Sequence, residues 1–500
     1  MKNFYITTAI PYVNARPHIG FALECVQADV IARHRRVSGE TVYLASGSDE
    51  NSLKNVLAAE KAGMKTQDLC AANSALFKEL EDRIGLSYDA FIKTASDPDH
   101  RKVAEMLWNA CNKSGDIYIK KYSGLYCVGC ELFYKESELA GGLCPEHHTK
   151  PERVEEENYF FRLSKYRDRL LEALDGEITI IPSSRKSEIT NFIKEGLEDF
   201  SISRSVKRAR GWGIPVPGDS SQTIYVWFDA LGVYLSGAGL PSDMKKFNDL
   251  WPADMHVIGK GVARFHAIYW PAMLMSAGIP LPRSIFIHGY VTVNGQKMSK
   301  SIGNVVDPVQ MLEKYGVDPV RYYLTRGIST FQDGDFSEKA VKETTNSELV
   351  GNLGNFVNRT LTFISSRMGG SVDEQSLGEG KLLLDEVYKI VDEVERLMKQ
   401  GQLNAAILKI MEISSLGNRY FQDNEPWKLA KEDEAAAKEV LFVCANLCRI
   451  LGILIYPYMP GTSNRILKYI GEEPPQFSRA KFLKKHFEIA APDILFKKIE

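Results

Sequence analysis

The chain lacks an excess of either charge. Sixty-two Lys and Arg stand against 64 Asp and Glu, a net charge of −2 over 500 residues. A polybasic protein that binds polyanions through net charge alone is therefore excluded. Cysteine is scarce, at 8 residues, which excludes a secreted scaffold stapled by disulfides. No stretch approaches the roughly 18 consecutive apolar residues of a membrane-spanning helix. The most apolar run, residues 450–459, is short and holds Pro457, so it reads as a buried helix end. Residues 1–16 lack the long apolar core of a secretory signal, because Thr7, Thr8 and Pro11 interrupt them. Internal repeats and low-complexity tracts are absent too. These absences point to a cytoplasmic protein with reduced thiols.

What is present is ordinary globular composition: 44% hydrophobic, 10% aromatic and 25% charged. The length predicts about three domains at roughly 150 residues each. Residues 4–9 are β-branched and aromatic and are stopped by Pro11, which predicts a strand. Residues 22–36 carry apolar positions at helical spacing and end near Gly39. Residues 41–45 predict a second strand, Ser46-Gly47-Ser48 a turn, and residues 51–62 a second helix. This β-α-β-α order favours a parallel sheet with right-handed crossovers. Residues 115–150 break the pattern; they are short-patterned and rich in Gly and Cys, like an inserted module. Strand and helix alternate again through residues 223–236 and 255–276, and residues 285–293 predict a strand. From about residue 337 to 470 the pattern is helical, and residues 434–455 are a long example.

Cys127-Val-Gly-Cys130 and Cys144-Pro-Glu-His147 form two knuckles with the spacing of a structural zinc site, in which tight turns present thiolates and imidazole tetrahedrally. His148 is an alternative fourth ligand to His147. Four protein ligands leave no open position, so the metal is expected to be structural. Cys25, Cys70 and Cys111 are isolated, and Cys444 and Cys448 sit four apart in an apolar helix, which predicts core packing.

Two segments suit phosphate handling. Pro17-His18-Ile19-Gly20 lies between the first strand and the following helix. Backbone N–H groups and the positive end of a helix dipole favour anions there. His18 can donate to a phosphate oxygen, and Gly20 lets a base approach the backbone. Lys297-Met298-Ser299-Lys300-Ser301 follows the turn Asn294-Gly295, and two lysines on such a loop can clamp a pyrophosphate leaving group. Each motif alone is weak; together, in this order, they are specific.

On these residues the chain resembles the class I aminoacyl-tRNA synthetases, and within them the methionyl family. The first motif corresponds to that family's His-Ile-Gly-His element and the second reproduces its KMSKS element. Gly47-Ser48-Asp49-Glu50, Tyr225-Val226-Trp227-Phe228-Asp229-Ala230, Ile258-Gly259-Lys260, Arg264-Phe265-His266 and His288-Gly289-Tyr290-Val291 resemble methionyl-type segments in the expected order.

The resemblance implies an α/β architecture. Residues 1–114 and 223–336 would be the two halves of a Rossmann-like, parallel-sheet catalytic domain. Residues 115–222 would be a zinc-bearing connective insertion, and residues 337–500 an α-helical anticodon-binding domain. It implies activation of methionine with ATP and magnesium to methionyl-adenylate, then transfer to tRNA. Asp49 would hold the substrate ammonium. Ala9, Ile10, Tyr12, Trp227, Ala230, Tyr234, Phe265 and His266 would form the methionine pocket, whose aromatic walls suit a polarizable thioether. His18, Gly20, Gly259, Lys260, Val291, Lys297 and Lys300 would serve ATP, with His18, Lys297 and Lys300 acting on the phosphates. Asn355, Arg359 and Trp427 would read the anticodon, by base edges and stacking. Residues 331–500 are slightly acidic, so the tRNA expectation rests on the resemblance. The chain ends at Glu500 just after the helical region, which leads to the expectation of a monomer.

The sequence departs from the family at Phe21, where a second histidine is usual, at Gly261, where Asp is common, and at Asn51-Ser52, where His-Gly is usual. Rivals fit less well. Leucine, isoleucine and valine enzymes need a large editing insertion, and cysteine enzymes scatter their zinc ligands along the chain. A zinc-ribbon nucleic-acid binder does not need the loop lysines, and a nucleotidyltransferase that ignores tRNA does not need the helical region. Because His18 and both lysines are retained, Phe21→His is expected to raise amino-acid-dependent pyrophosphate exchange by less than tenfold, about 1.4 kcal/mol. A larger gain would mean that the phosphate site is compromised by Phe21.

Overall fold

The computed structural model describes residues 3–129, 132–145, 148–298, 303–472 and 474–500. The chain divides into two compact units. Met1–Pro17, Tyr43–Glu81 and Tyr88–Ile287 form the first; His18–Val42, Asp82–Ser87 and His288–Glu500 form the second.

The first unit is organised by a six-stranded sheet. Its order is Ala90–Lys93, Val42–Ser48, Phe4–Thr8, Met255–Gly259, Ser284–His288, Thr179–Ile181. The pairs Phe4–Thr8 with Met255–Gly259, Val42–Ser48 with Ala90–Lys93, and Ser284–His288 with Thr179–Ile181 are parallel. Ile6 faces Met255, and Ser46 faces Phe91. The central strands read as near-continuous apolar runs because burial on both faces removes the alternation of a half-exposed strand. Strand order turns back at Phe4–Thr8, whose two neighbours follow it at very different distances along the chain. A crevice outside the carboxyl ends of strands at such a switch point is where open α/β sheets bind ligands.

Two boundaries correct the reading from sequence. Ser46-Gly47-Ser48 is not a turn; it completes the strand Val42–Ser48 and is buried. Gly47 is required by a neighbour rather than by a turn, since a Cβ there would lie 2.3 Å from the Ile92 carbonyl oxygen. The second helix is Leu53–Ala62, capped by Ser52, whose hydroxyl accepts from the Lys54 N–H. Asn51 lies outside it, its side chain committed elsewhere, as described below.

The inserted module carries a longer strand than its sequence suggests. Ile117–Cys127 pairs antiparallel with Glu152–Phe161, from Ile117 opposite Phe161 to Tyr126 opposite Glu152. Leu132–Tyr134 and Phe200–Ser201 flank this pair in a four-stranded sheet.

In the second unit the helix Ile19–Val37 begins immediately after His18. The predicted strand over residues 285–293 is interrupted: Ser284–His288 ends, and Val291–Val293 opens a hairpin with Gln296–Lys297. Gly289 stands at the break, where a Cβ would come within 2.2 Å of the Gln332 carbonyl. Asn294 and Gly295 close the hairpin with φ of 55° and 71°, the left-handed pair that a two-residue turn of this type demands. The remainder is helical as expected. Glu434–Ile455 buries most of its length, including Cys444 and Cys448.

A buried charge cluster ties this unit together. The Asp29 carboxylate is 2.7 Å from both the Arg33 and Arg321 guanidinium groups, and the Asp29 and Arg321 side chains are wholly buried. Arg321 also donates to the carbonyls of Ile84, Pro457 and Tyr458. Burial alone would raise the Asp29 carboxyl pKa, but Arg321 and Arg33 outweigh it and hold the group below its ordinary value. The resulting stabilisation is present above the unfolded carboxyl pKa of about 4 and is lost as pH falls through the lower folded value. Removing one partner strands a buried charge, so Arg321→Leu is expected to lower stability by about 3–5 kcal/mol in urea unfolding at neutral pH.

Candidate active site

In the first unit the expected pocket residues lie where three sheet strands end. Ala9, Ile10 and Tyr12 follow Phe4–Thr8; Asp49 follows Val42–Ser48; Gly259 ends Met255–Gly259, and Lys260 opens the short turn after it. Tyr12 and Asp49 pair as a parallel bridge, with the Asp49 N–H donating to the Pro11 carbonyl at 2.8 Å. Asp49 is only 3% exposed. Its carboxylate accepts from the Asn51 N–H, and its carbonyl accepts from the Asn55 amide at 3.0 Å.

A chain of rings leads away from Asp49. Tyr12 meets Trp227 edge-on at 6.2 Å between centroids. Trp227 stacks on Phe265 at 3.7 Å and 5°, and meets His266 edge-on at 6.5 Å. Lys54 lies over the outer face of Tyr12, 4.5 Å from its centroid. Trp227 and Ala230 come from the short helix Val226–Ala230. Phe265 and His266 come from a wide π-type turn, Phe265–Tyr269, a geometry that often marks functional sites because it turns side chains out of the regular helical register. The Trp227 indole N–H is buried and makes no hydrogen bond among the described residues.

The His266 ring has a definable tautomer. Its Nδ1 is 2.9 Å from the Val262 carbonyl, which can only accept, so Nδ1 carries the proton. In the neutral ring, Nε2, 2.6 Å from the Tyr234 hydroxyl, then accepts from Tyr234. Behind this pair lies His256, whose Nδ1 contacts the Thr7 hydroxyl at 2.8 Å and whose ring packs 4.2 Å from that of Tyr234. Burial first, and the neighbouring His266 second, push the His256 imidazole well below its ordinary pKa, so it too is neutral.

Three neighbours of the pocket were not singled out from sequence. Glu50 is fully buried, and its carboxylate accepts from the Ser74 hydroxyl, the Ala95 and Ser96 N–H groups and the Ser96 hydroxyl. Asp229 accepts from His100 Nε2 at 2.6 Å and from the Asn51 amide at 2.7 Å. The signal for Asp229 was a lone carboxylate inside the otherwise apolar Tyr-Val-Trp-Phe-Asp-Ala; His100 gave none.

In the second unit His18 caps the helix Ile19–Val37. Its Nδ1 accepts from the Gly20 N–H at 3.1 Å. The neutral ring then carries its proton on Nε2, a donor on an exposed side chain. A Cβ on Gly20 would lie 3.0 Å from the His18 ring and 3.3 Å from Met298 Cε. This crowding explains a glycine here without invoking its flexibility. Phe21 is 7% exposed and turned inward, consistent with its having no phosphate contact. Val291 is buried at the start of the hairpin, and the Lys297 backbone pairs with Thr292. Lys300 and the Lys297 side chain lie outside the described residues.

Two of the expected anticodon residues share a helical face, and Trp427, from the separate helix Pro426–Glu432, lies beside one of them. Asn355 and Arg359 lie four apart in Asn355–Arg367. Asn355 donates to Asn418 at 2.9 Å and Arg359 to Gln422 at 3.1 Å. The Arg359 guanidinium lies 4.7 Å from the Phe421 ring centre and 5.7 Å from that of Trp427.

At the expected zinc knuckles, Cys127 and Cys144 are both buried and both reach Thr149: Cys127 Sγ is 3.9 Å from its hydroxyl, and the Cys144 N–H donates to its carbonyl. Cys130 and His147 lie outside the described residues. His148 adopts a left-handed backbone, φ 52°, and its N–H closes a turn onto the Cys144 carbonyl at 2.8 Å.

Comparison with known proteins gives a consistent picture. A family model described as tRNA synthetases class I (M) matches residues 4–155 and 147–361, and one described as the anticodon binding domain of methionyl tRNA ligase matches residues 371–500. A methionine–tRNA ligase of Brucella melitensis is 40% identical over 473 residues, 93% of this chain and 91% of that one. One from Mycobacterium tuberculosis is 41% identical over 492 residues, 96% and 94% of the two chains. The solved structure of Mycobacterium tuberculosis methionyl-tRNA synthetase in complex with methionyl-adenylate superimposes with a TM-score of 0.95 at 39% identity, covering 99% of this chain and all of that one.

Proposed function

We propose residue roles on the premise that this chain belongs to the class I tRNA synthetases of the methionyl type. It is a methionine–tRNA ligase: it activates L-methionine with ATP to methionyl-adenylate and pyrophosphate, then transfers the methionyl group to tRNA. A methionine carboxylate oxygen attacks the α-phosphorus of ATP, and the bond to the pyrophosphate breaks. The attacking group is already ionised, so no general base is required, and the rate gain lies in positioning and in stabilising phosphate charge. Magnesium enters with ATP and offsets the charge of its phosphates.

Asp49 holds the methionine ammonium. The supporting observation is a nearly fully buried carboxylate at a strand's carboxyl end, joined through Tyr12 to an aromatic wall. Trp227, Phe265 and Tyr12, with Ala9, Ile10 and Ala230, enclose the side chain, and the Tyr234–His266 pair presents oriented polar atoms to the thioether. His18 donates through Nε2 to a phosphate. Gly20, Gly259, Lys260 and Val291 line the nucleotide, and Lys297 and Lys300 draw off the pyrophosphate. Arg359, Trp427 and Asn355 read the anticodon, a face on which a base can stack against Trp427 beside the guanidinium.

Residues 1–114 and 223–336 serve as the catalytic halves, 115–222 as the connective insertion and 337–500 as the anticodon-binding part, in a cytoplasmic enzyme. Cys127, Cys130, Cys144 and His147 hold zinc. Cys127 and Cys144 are both buried, and the Cys127 thiol and the Cys144 backbone meet the same threonine, which sets the two knuckles side by side for that metal; when bound it would fix the fold of the insertion. Metal analysis of the purified chain should give about one zinc, and Cys127→Ser should abolish it.

Asp49→Asn should raise the methionine KM about 10- to 100-fold in pyrophosphate exchange, matching the 1.5–3 kcal/mol of a charge-assisted hydrogen bond, with the ATP KM unchanged. An unchanged methionine KM would remove Asp49 from the role. Arg359→Ala should lower tRNA charging by at least about tenfold while leaving pyrophosphate exchange as it was, since base stacking contributes about 1–3 kcal/mol.

A further inference from the structure

A closed ring of buried hydrogen bonds surrounds the chain segment that carries Asp49. The two residues after Asp49 are gripped separately. Glu50 is held by the loop after the strand Ala90–Lys93: its N–H donates to Thr94 Oγ1 at 2.8 Å, and its carboxylate accepts from Ala95 and Ser96. That loop runs into the helix Pro98–Lys113, whose first turn is fixed by Asp97 accepting from the Asp99 and His100 N–H groups. The same turn presents His100, fully buried, to Asp229. Asp229 in turn holds the Asn51 side chain, while the Asn51 N–H donates to the Asp49 carboxylate at 3.2 Å. Ser236 contacts the second His100 nitrogen at 3.2 Å, so both edges of the imidazole are engaged.

Asp229 also sits on the short helix that carries Trp227 and Ala230. It lies two residues after Trp227 in Val226–Ala230, on the opposite face of that short helix. Asp229 therefore couples two things that must keep a fixed separation: the wall formed by Trp227 and Ala230, and the loop bearing Asp49. A buried carboxylate with one donor on each oxygen is costly to disturb, because losing either donor leaves a desolvated charge partly unsatisfied. The ring thus ties the helix that carries Trp227 and Ala230 to the loop that carries Asp49.

We propose that His100, Asp229 and Asn51 act as a clamp that sets the distance between the ammonium-binding carboxylate and the thioether wall, and so select methionine by length. None of the three touches substrate; they are positioning residues. The proposal rests on Asp49 being the ammonium site.

The test is pyrophosphate exchange by the full chain with methionine and with its one-carbon-longer analogue ethionine. Asp229→Asn and Asn51→Ala should each raise the methionine KM at least fivefold, leave the ATP KM unchanged, and reduce the preference for methionine over ethionine at least fivefold. The double variant should be within twofold of the worse single. His100→Gln, which keeps an N–H near the Nε2 position, should recover to within threefold of the unmodified chain, whereas His100→Phe, which keeps the ring but no donor, should not. Asn51→Ala alters a half-buried loop position and carries the test should the core variants fold poorly. Methionine and ATP KM rising together, an unchanged ethionine preference, or single effects that multiply in the double variant would each overturn the clamp. Asp49→Asn run alongside separates the two claims through inhibition by L-methioninol, which keeps the ammonium and lacks the carboxylate. Unchanged inhibition there overturns the ammonium site, whereas impaired Asp49→Asn with unaffected clamp variants overturns the clamp alone.

Discussion

Two adjacent carboxylates kept out of water at the end of one parallel strand are the constraint around which the site is built. Glu50 is fully buried and Asp49 nearly so. Removing such groups from water costs several kcal/mol each unless hydrogen bonds replace the lost hydration. The fold supplies four donors to Glu50 from Ser74, Ala95 and Ser96. Those hydrogen bonds make Glu50 an anchor for the residue before it, Asp49, whose carboxylate accepts from the Asn51 N–H. The strand itself must pass so close to its neighbour that only glycine fits at position 47.

The same logic of fixed polar atoms in an apolar setting shapes the far end of the pocket. The Val262 carbonyl settles where the His266 proton sits, and His266 in turn settles the direction of the Tyr234 hydroxyl. The rings around them are close-packed, with Trp227 on Phe265 the tightest contact. A pocket walled by such rings would discriminate by shape and polarizability rather than by charge, as the proposed thioether site requires. In the proposed assignment, Asp49 takes the ammonium and the Tyr234–His266 pair faces the thioether.

Much of this was legible in sequence, for identifiable reasons. His18 at its helix start and the Asn294-Gly295 turn are local motifs, and local chemistry survives without a fold. The helical face of Asn355 and Arg359 followed from a spacing of four. Ser46–Ser48 was misread as a turn because polar and small residues mark turns at the surface, whereas here they are strand residues packed against a backbone carbonyl. Asn51 read as a helix residue because its commitment to Asp229 spans 178 positions of chain. The pairing of His100 with Asp229 leaves no trace in the sequence for the same reason: a hydrogen bond between residues 129 apart has no period and no spacing. The wide turn carrying Phe265 and His266 likewise departs from the 3.6-residue repeat that pattern reading assumes.

In the proposed site the buried carboxylate and the ring-lined pocket together specify methionine. The most direct test of this is pyrophosphate exchange measured with each of the twenty amino acids under one set of conditions. Exchange with methionine is expected to exceed that with any other by at least about a hundredfold, or about 2.7 kcal/mol of differential transition-state binding. Exchange with another amino acid equal to that with methionine would contradict it.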